Sequence, residues 1–225
     1  MVEHSDFELM DAALAHQIAS AYLPSRWHYY YSRSKLTVDP LYDGVCGALA
    51  ESKAPVLDLG CGIGLLAHCL RARQLNLPYL GVDNDIGKVQ LARHAAAVLN
   101  DVSFEVANLA NTIPAHRGSV SMLDVMQYLP PPVQQSLLHR ACECIAEGAY
   151  LIIRTGMTDN SWRSKVTLAA DVFTRAIRWM NTGPKGYPGR EDMDRIFAAH
   201  GLIAKYQPFW GNTPFNNWLV TATRN

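Results

Sequence analysis

Three stretches of this sequence carry residues able to do chemistry. The first is Val56-Leu57-Asp58-Leu59-Gly60-Cys61-Gly62-Ile63-Gly64-Leu65-Leu66, an apolar run that ends in a glycine-rich turn and passes straight into a helical pattern. Glycines let the backbone turn tightly there and approach a ligand with no side chain in the way. The helix start adds unpaired N–H groups and a partial positive charge. The second is Tyr79-Leu80-Gly81-Val82-Asp83-Asn84-Asp85. Asp83 ends a second apolar run about 20 residues beyond the turn, where an acid can accept hydrogen bonds from both ribose hydroxyls of a nucleoside. The third is Trp27-His28-Tyr29-Tyr30-Tyr31 with Arg33 and Lys35 close behind, which crowds aromatics and two cations into a short span.

The spacing narrows the nucleoside. It is Gly-x-Gly-x-Gly, not the Gly-x-Gly-x-x-Gly of dinucleotide binders. Asp58, two residues before the first glycine, would repel a pyrophosphate but could orient water or the ammonium group of an amino-acid tail. S-adenosylmethionine has such a tail and no phosphate.

With these residues in place, the chain resembles the class I, Rossmann-like methyltransferases. Residues 56–66 look like their motif I and Asp83 like their motif II acid. Phe104-Glu105-Val106-Ala107-Asn108-Leu109 resembles the loop beside the adenine, with Asn108 where Asp is frequent; its carbonyl oxygen can still accept from the adenine amine. Leu123-Asp124-Val125-Met126-Gln127-Tyr128-Leu129 resembles the segment beneath the methyl donor. The resemblance implies S-adenosylmethionine as methyl donor and S-adenosylhomocysteine as product. It implies a site drawn from Asp58, Gly60, Cys61, Gly62, Gly64, Asp83, Asn84, Asn108, Leu109, Asp124 and Val125. The crowded segment from Tyr29 to Tyr42 is expected to close over that site, with Arg33 or Lys35 meeting the methionine carboxylate or an acidic group of the substrate and tyrosines lining the methyl path. A narrower likeness rests on Lys35-Leu-x-x-Asp39-Pro40, the strand end at Arg154 and Pro214-Phe215-Asn216-Asn217. These are similar to methyltransferases encoded with bacterial aryl-polyene and xanthomonadin-like pigment pathways. That likeness implies a small aromatic or aryl-acyl acceptor, free or bound to a carrier protein, methylated on oxygen or on ring carbon.

Methyl transfer needs alignment first and a base only where the nucleophile must lose a proton. Strand five ends Arg154-Thr155-Gly156 with no carboxylate before Asp159, which counts against a catechol-type metal site at Asp124. Pro130-Pro131-Pro132 starts a helix and lacks the Asn and aromatic flanks of an amine-methylation motif. Gln127 stands where many small-molecule relatives carry His, and Gln is no base. The catalytic candidates that remain are His28, Tyr30, Tyr31 and Tyr128, each of which also has a plain packing or surface explanation. Trp162, Arg163, Phe173, Trp179 and Tyr187, with Phe209, Trp210 and Phe215, could roof an apolar or aromatic substrate.

The elements that must position these groups follow from the pattern. Strands are expected at 55–60, 79–83, 103–107, 119–124, 149–154, 202–208 and 217–223. Helices are expected at 7–22, 64–73, 86–99, 132–146, 162–180 and 191–200. Alternating strands and helices give an α/β fold: a seven-stranded, mostly parallel Rossmann-like sheet with an antiparallel last strand and helices on both faces. A single domain is expected, with an N-terminal helical lid (1–52), a cofactor-binding core (53–158), a helical insert after strand five (159–200) and a terminal hairpin (201–225). The chain has 225 residues, 49% of them apolar and 18% charged, with 20 basic and 20 acidic side chains. A neutral balance without a basic stripe argues against nucleic acid as partner. No apolar run reaches the ~20 residues of a membrane span. Five cysteines without an export signal fit reduced thiols in a cytoplasmic protein. Two other readings stay open: methylation of protein or RNA, and a non-catalytic partner protein of the same fold. The oligomeric state is not legible.

Overall fold

A computed structural model of the chain describes residues 10–157, 185–210 and 216–224. Three helices come first: α1 (Ala12–Ser20), α2 (Arg26–Val38) and α3 (Leu41–Leu49). The alternating core follows as β1 (Val56–Leu59), α4 (Leu65–Ala72), β2 (Tyr79–Asp83), α5 (Ile86–Ala95), β3 (Val102–Val106), β4 (Ser119–Leu123), α6 (Pro131–Glu143) and β5 (Tyr150–Gly156). It closes with α7 (Arg190–Ala199), β6 (Leu202–Pro208) and β7 (Asn217–Arg224). The strand order is β3-β2-β1-β4-β5-β7-β6. β1 to β5 pair in parallel, and β7 runs antiparallel to both β5 and β6. Order reverses between β1 and β4, so a crevice opens at their carboxyl ends.

The sheet separates two apolar clusters. Side chains alternate across a strand, so Val56 and Ile152 join one cluster, with α1, α3, α4 and α5. Leu57, Leu59, Val120, Met122, Leu151 and Ile153 join the other, with α6 and α7. Both faces are covered, which is why these strands read as continuous apolar runs. Local signals set the helix starts. Asp11 accepts from the Ala13 and Leu14 amides at 2.9 and 3.2 Å, and Asp85 from those of Gly87 and Lys88 at 2.9 and 3.1 Å. Pro131 and Pro132 open α6.

The N-terminal segment departs most from the sequence reading. The aromatic stretch, for which no helix was drawn, lies within α2. Pro40 ends that helix. Asp39, the residue before it, turns to φ −107° and ψ 120°, the extended conformation a following proline imposes. α5 and α6 stop at Ala95 and Glu143 rather than 99 and 146. The chain turns after α5 and reaches β3 through Asp101, at φ 53°. The helix expected over 162–180 lies outside the described residues, with Trp162, Arg163, Phe173 and Trp179; so do residues 7–9 and Phe215. Among the described residues no helix is long and apolar enough to cross a membrane.

Candidate active site

A cavity of ≈ 470 Å³ opens at the carboxyl ends of β1, β2, β4 and β5. The glycine turn forms its floor. Gly60 has φ +82°, and a Cβ there would stand 2.2 Å from Val125 Cγ2. Gly62 has φ +55° with nothing within 4 Å of the equivalent position. Gly64, at φ +82°, caps α4 and faces Phe104 rather than the cavity. The Gly60 and Cys61 amides both donate to the Val82 carbonyl, at 2.7 and 3.0 Å, tying the turn to β2.

Asp83 does more than face the cavity. One carboxylate oxygen accepts from the Gly62 amide at 2.9 Å and the other from Asp85 N at 2.9 Å. Each oxygen keeps a lone pair for a diol. Asp58 is buried beneath the turn, accepting from Tyr79 Oη at 2.6 Å and Ser121 Oγ at 2.7 Å. Burial pushes its carboxyl up to about 6, partly opposed by those two hydrogen bonds, and the Asp83 charge adds to the rise. An ammonium beside Asp58 would favour the ionised form. At the far end Asn84, Asn108 and Leu109 line the cavity. The Asn108 side-chain oxygen, expected to accept from an adenine amine, already accepts from Ala110 N at 3.0 Å. Arg140 holds the Leu109 carbonyl at 2.8 Å.

At the β4–β5 end the structure assembles a cluster that sequence spacing did not reveal. Arg154, only 2% exposed, donates from Nη1 to both oxygens of Asp39 at 2.6 and 2.7 Å. Its Nε donates to Asp124 Oδ1 at 2.7 Å, and its Nη2 meets Asp124 Oδ2. Lys35 Nζ reaches Asp39 at 2.6 Å and Asp124 at 3.5 Å. Burial alone would raise the Asp39 carboxyl, but Arg154 and Lys35 outweigh it and hold it at about 2. The same contest, with Arg154 and then Lys35 prevailing over burial, lowers Asp124. The Asp124 backbone sits at φ +60°, unusual for a residue with a Cβ, which turns its carboxylate back onto Arg154.

Of the aromatic and cationic residues expected to close over the site, Tyr31, Lys35 and Tyr128 line the cavity. Three others are placed elsewhere by the helical period of α2. Arg33 is exposed, and Tyr30 is 54% exposed with its ring edge-on to Tyr29. The His28 Nδ1 lies 2.7 Å from Ser25 Oγ in the first turn of α2. Lys35 faces inward with its ammonium engaged by two aspartates. Tyr187 packs on Gly156 and lines the cavity. Phe209 does not: it is fully buried against Gly44 in the core. Trp210 stands edge-on to Trp218, 6.2 Å between centroids. Leu41 and Tyr42, the end of the segment expected to close over the site, line the cavity from the start of α3.

Comparison with known proteins agrees with this geometry. Residues 56–148 match the family model described as a methyltransferase domain. Magnesium protoporphyrin IX methyltransferase from Synechocystis, solved with bound S-adenosylhomocysteine, superposes with a TM-score of 0.66 at 18% identity, over 96% of this chain and 100% of that one. The fold is that of the class I methyltransferases. An O-methyltransferase family protein from Burkholderia thailandensis superposes at TM-score 0.65 and 21% identity, over 94% of this chain and 64% of that one. Curated relatives include a carboxy-S-adenosyl-L-methionine synthase from Actinobacillus succinogenes, 32% identical over 116 residues (48% of each protein). Another is a trans-aconitate 2-methyltransferase from Methylobacterium nodulans, 33% identical over 122 residues (54% of this chain, 45% of that protein). The chain spans about half the length of the curated relatives it matches. The cavity has three regions, one at Asp83, Asn84 and Asn108, one at Asp58 and Gly60, and one between the ends of β4 and β5.

Proposed function

We propose that the protein is an S-adenosylmethionine-dependent methyltransferase acting on a small aromatic or aryl-acyl acceptor, at oxygen or ring carbon. One observation carries the reading. The cavity joins a cradle suited to a nucleoside with an amino-acid tail to a second half lined by four tyrosines: Tyr31, Tyr42, Tyr128 and Tyr187. S-adenosylmethionine is consumed in such a reaction and supplies a methyl group on a sulfonium. The chain's own part is to hold donor and acceptor in line. Asp83 would take the ribose hydroxyls, Asp58 the ammonium and Asn108 with Leu109 the adenine. Tyr31 and Tyr128 border the place where the methyl leaves. Aromatic walls suit a flat acceptor.

The narrower likeness to pigment-pathway methyltransferases supports a hydroxylated aryl or aryl-acyl acceptor. Lys35, Asp39 and Arg154, three of the residues that carry it, meet in one ion cluster at the acceptor end. The test is transfer of labelled methyl from S-adenosylmethionine into a cell extract separated into small molecules, protein and nucleic acid. Label in organic-soluble aromatics is the expected result. Label confined to protein or RNA would overturn the acceptor class and leave the donor site standing.

A further inference from the structure

Resting on that reading, we propose that the acceptor atom is a carboxylate oxygen, ionised before it binds and met by Lys35, so that the product is a methyl ester. The acceptor end of the cavity supplies groups that hold charges or protons. Both of its carboxylates, Asp39 and Asp124, accept from the buried guanidinium of Arg154 and are touched by Lys35. A carboxylate so engaged is a poor proton acceptor. Three more acids line the cavity away from that end: Asp58, with its oxygens accepting from Tyr79 and Ser121, and Asp83 and Asp85, which accept from backbone amides of the turn and of α5. The Tyr42 hydroxyl keeps its proton, because burial and then the Tyr31, Cys69, Asp58 and Asp124 groups raise it well above the ordinary range. None of the described histidines lines the cavity.

Such a site favours an acceptor that has no proton to lose. With a carboxylate, an oxygen lone pair forms the new O–C bond while the C–S bond breaks, and its electron pair stays on sulfur. No proton moves. A neutral phenol would have to deliver a proton to a base that these residues do not offer. Charge points the same way. Lys35, Arg154, Asp39 and Asp124 sum to zero, so this end does not repel an anion. The Lys35 ammonium has three donors and, among the described residues, two partners, which leaves one for the acceptor. An anion reacting with a sulfonium neutralises both charges, a change favoured in a cavity of low dielectric.

The test uses the full chain, methyl-labelled S-adenosylmethionine and the small-molecule fraction of an extract of the cells in which the protein occurs. After reaction the products are treated with mild alkali, which frees methanol from esters but not from aryl ethers or C-methyl groups. We expect most of the transferred label to become volatile. We also expect Lys35→Gln to raise the acceptor concentration needed for half-maximal rate about tenfold, the loss of one charge-assisted hydrogen bond. Lys35→Arg should restore it, and S-adenosylhomocysteine affinity should stay within about twofold in both variants. Label that survives alkali overturns the carboxylate assignment while leaving the methyltransferase reading intact. Transfer only into protein or nucleic acid overturns the reading on which the assignment rests.

Discussion

Gly60 and Gly62 share a left-handed backbone but differ in what surrounds them. An added methyl group at Gly60 collides with Val125, whereas at Gly62 it meets nothing within 4 Å. Gly60→Ala should therefore displace the β4 loop and lower stability by about 2 kcal/mol or more, as overpacking adds to the left-handed strain. Gly62→Ala should cost only about 1 kcal/mol while weakening S-adenosylhomocysteine binding, because its Cβ would project into open space at the cavity floor. Urea denaturation and calorimetric titration separate the two effects; equal losses of stability would refute the contrast. Asp58 yields a pH prediction. Its proton is held more tightly in the folded state, at about 6, than in the unfolded chain, near 3.9. Its contribution to stability is thus full below pH ~4 and lost as pH rises through about 6, a change of roughly 3 kcal/mol. Asp58→Asn should raise the melting temperature at pH 8, flatten the slope between pH 4 and 6, and bind S-adenosylhomocysteine more weakly. A lower melting temperature at pH 8 would show that hydrogen bonding to Tyr79 and Ser121, not burial of charge, dominates there.

Most strands were legible because the run stops at a glycine (β1, β5), an acid (β2, β4) or a proline (β6), and β2 and β6 fall where the pattern puts them. α2 was not, because its fully buried residues are only Ser32 and Leu36. Lys35 also turns inward, so no apolar stripe marks the helix. The ion cluster was hidden for a different reason. Asp39 and Arg154 are 115 residues apart and Lys35 and Asp124 are 89 apart, and no local spacing reports such a contact. Its effect at this scale is to fasten the α2–α3 corner to the ends of β4 and β5. Removing the guanidinium would leave the buried Asp39 and the half-buried Asp124 with only Lys35 to offset them, so Arg154→Leu should cost about 3 kcal/mol, measured by urea denaturation at pH 7. A loss below about 1 kcal/mol would mean that water reaches Asp39 and Asp124 when Arg154 is gone. Acid should probe the same joint. Asp39, held at about 2, stabilises the fold above pH ~4 and loses that contribution as pH falls through 2. Asp39→Asn should therefore be the less stable protein at pH 7, and the difference should shrink on acidification.

Across the whole molecule, the sheet order and the cradle point to one kind of ligand and away from its commonest rival. Nicotinamide dinucleotides share the strand, glycine turn, helix, strand and acid plan. Here, however, the turn lacks the wider glycine spacing and stands over the buried carboxylate of Asp58, which is unfavourable to a pyrophosphate and favourable to an ammonium. The difference is measurable without knowing the acceptor. A ligand that binds only the folded state at 100 times its dissociation constant adds about 2.7 kcal/mol. For a chain of this length each kcal/mol moves the melting temperature by about 2–4 °C. S-adenosylhomocysteine should therefore raise it by about 5–10 °C at that excess, and NAD at equal concentration by no more than a degree. Asp83→Ala should lose most of the shift, since it removes the diol acceptor and the anchor of the Gly62 amide together. A larger shift with NAD would reverse the assignment of the cradle, and with it the reading of the acceptor end, because the four tyrosines would then face a nicotinamide ring.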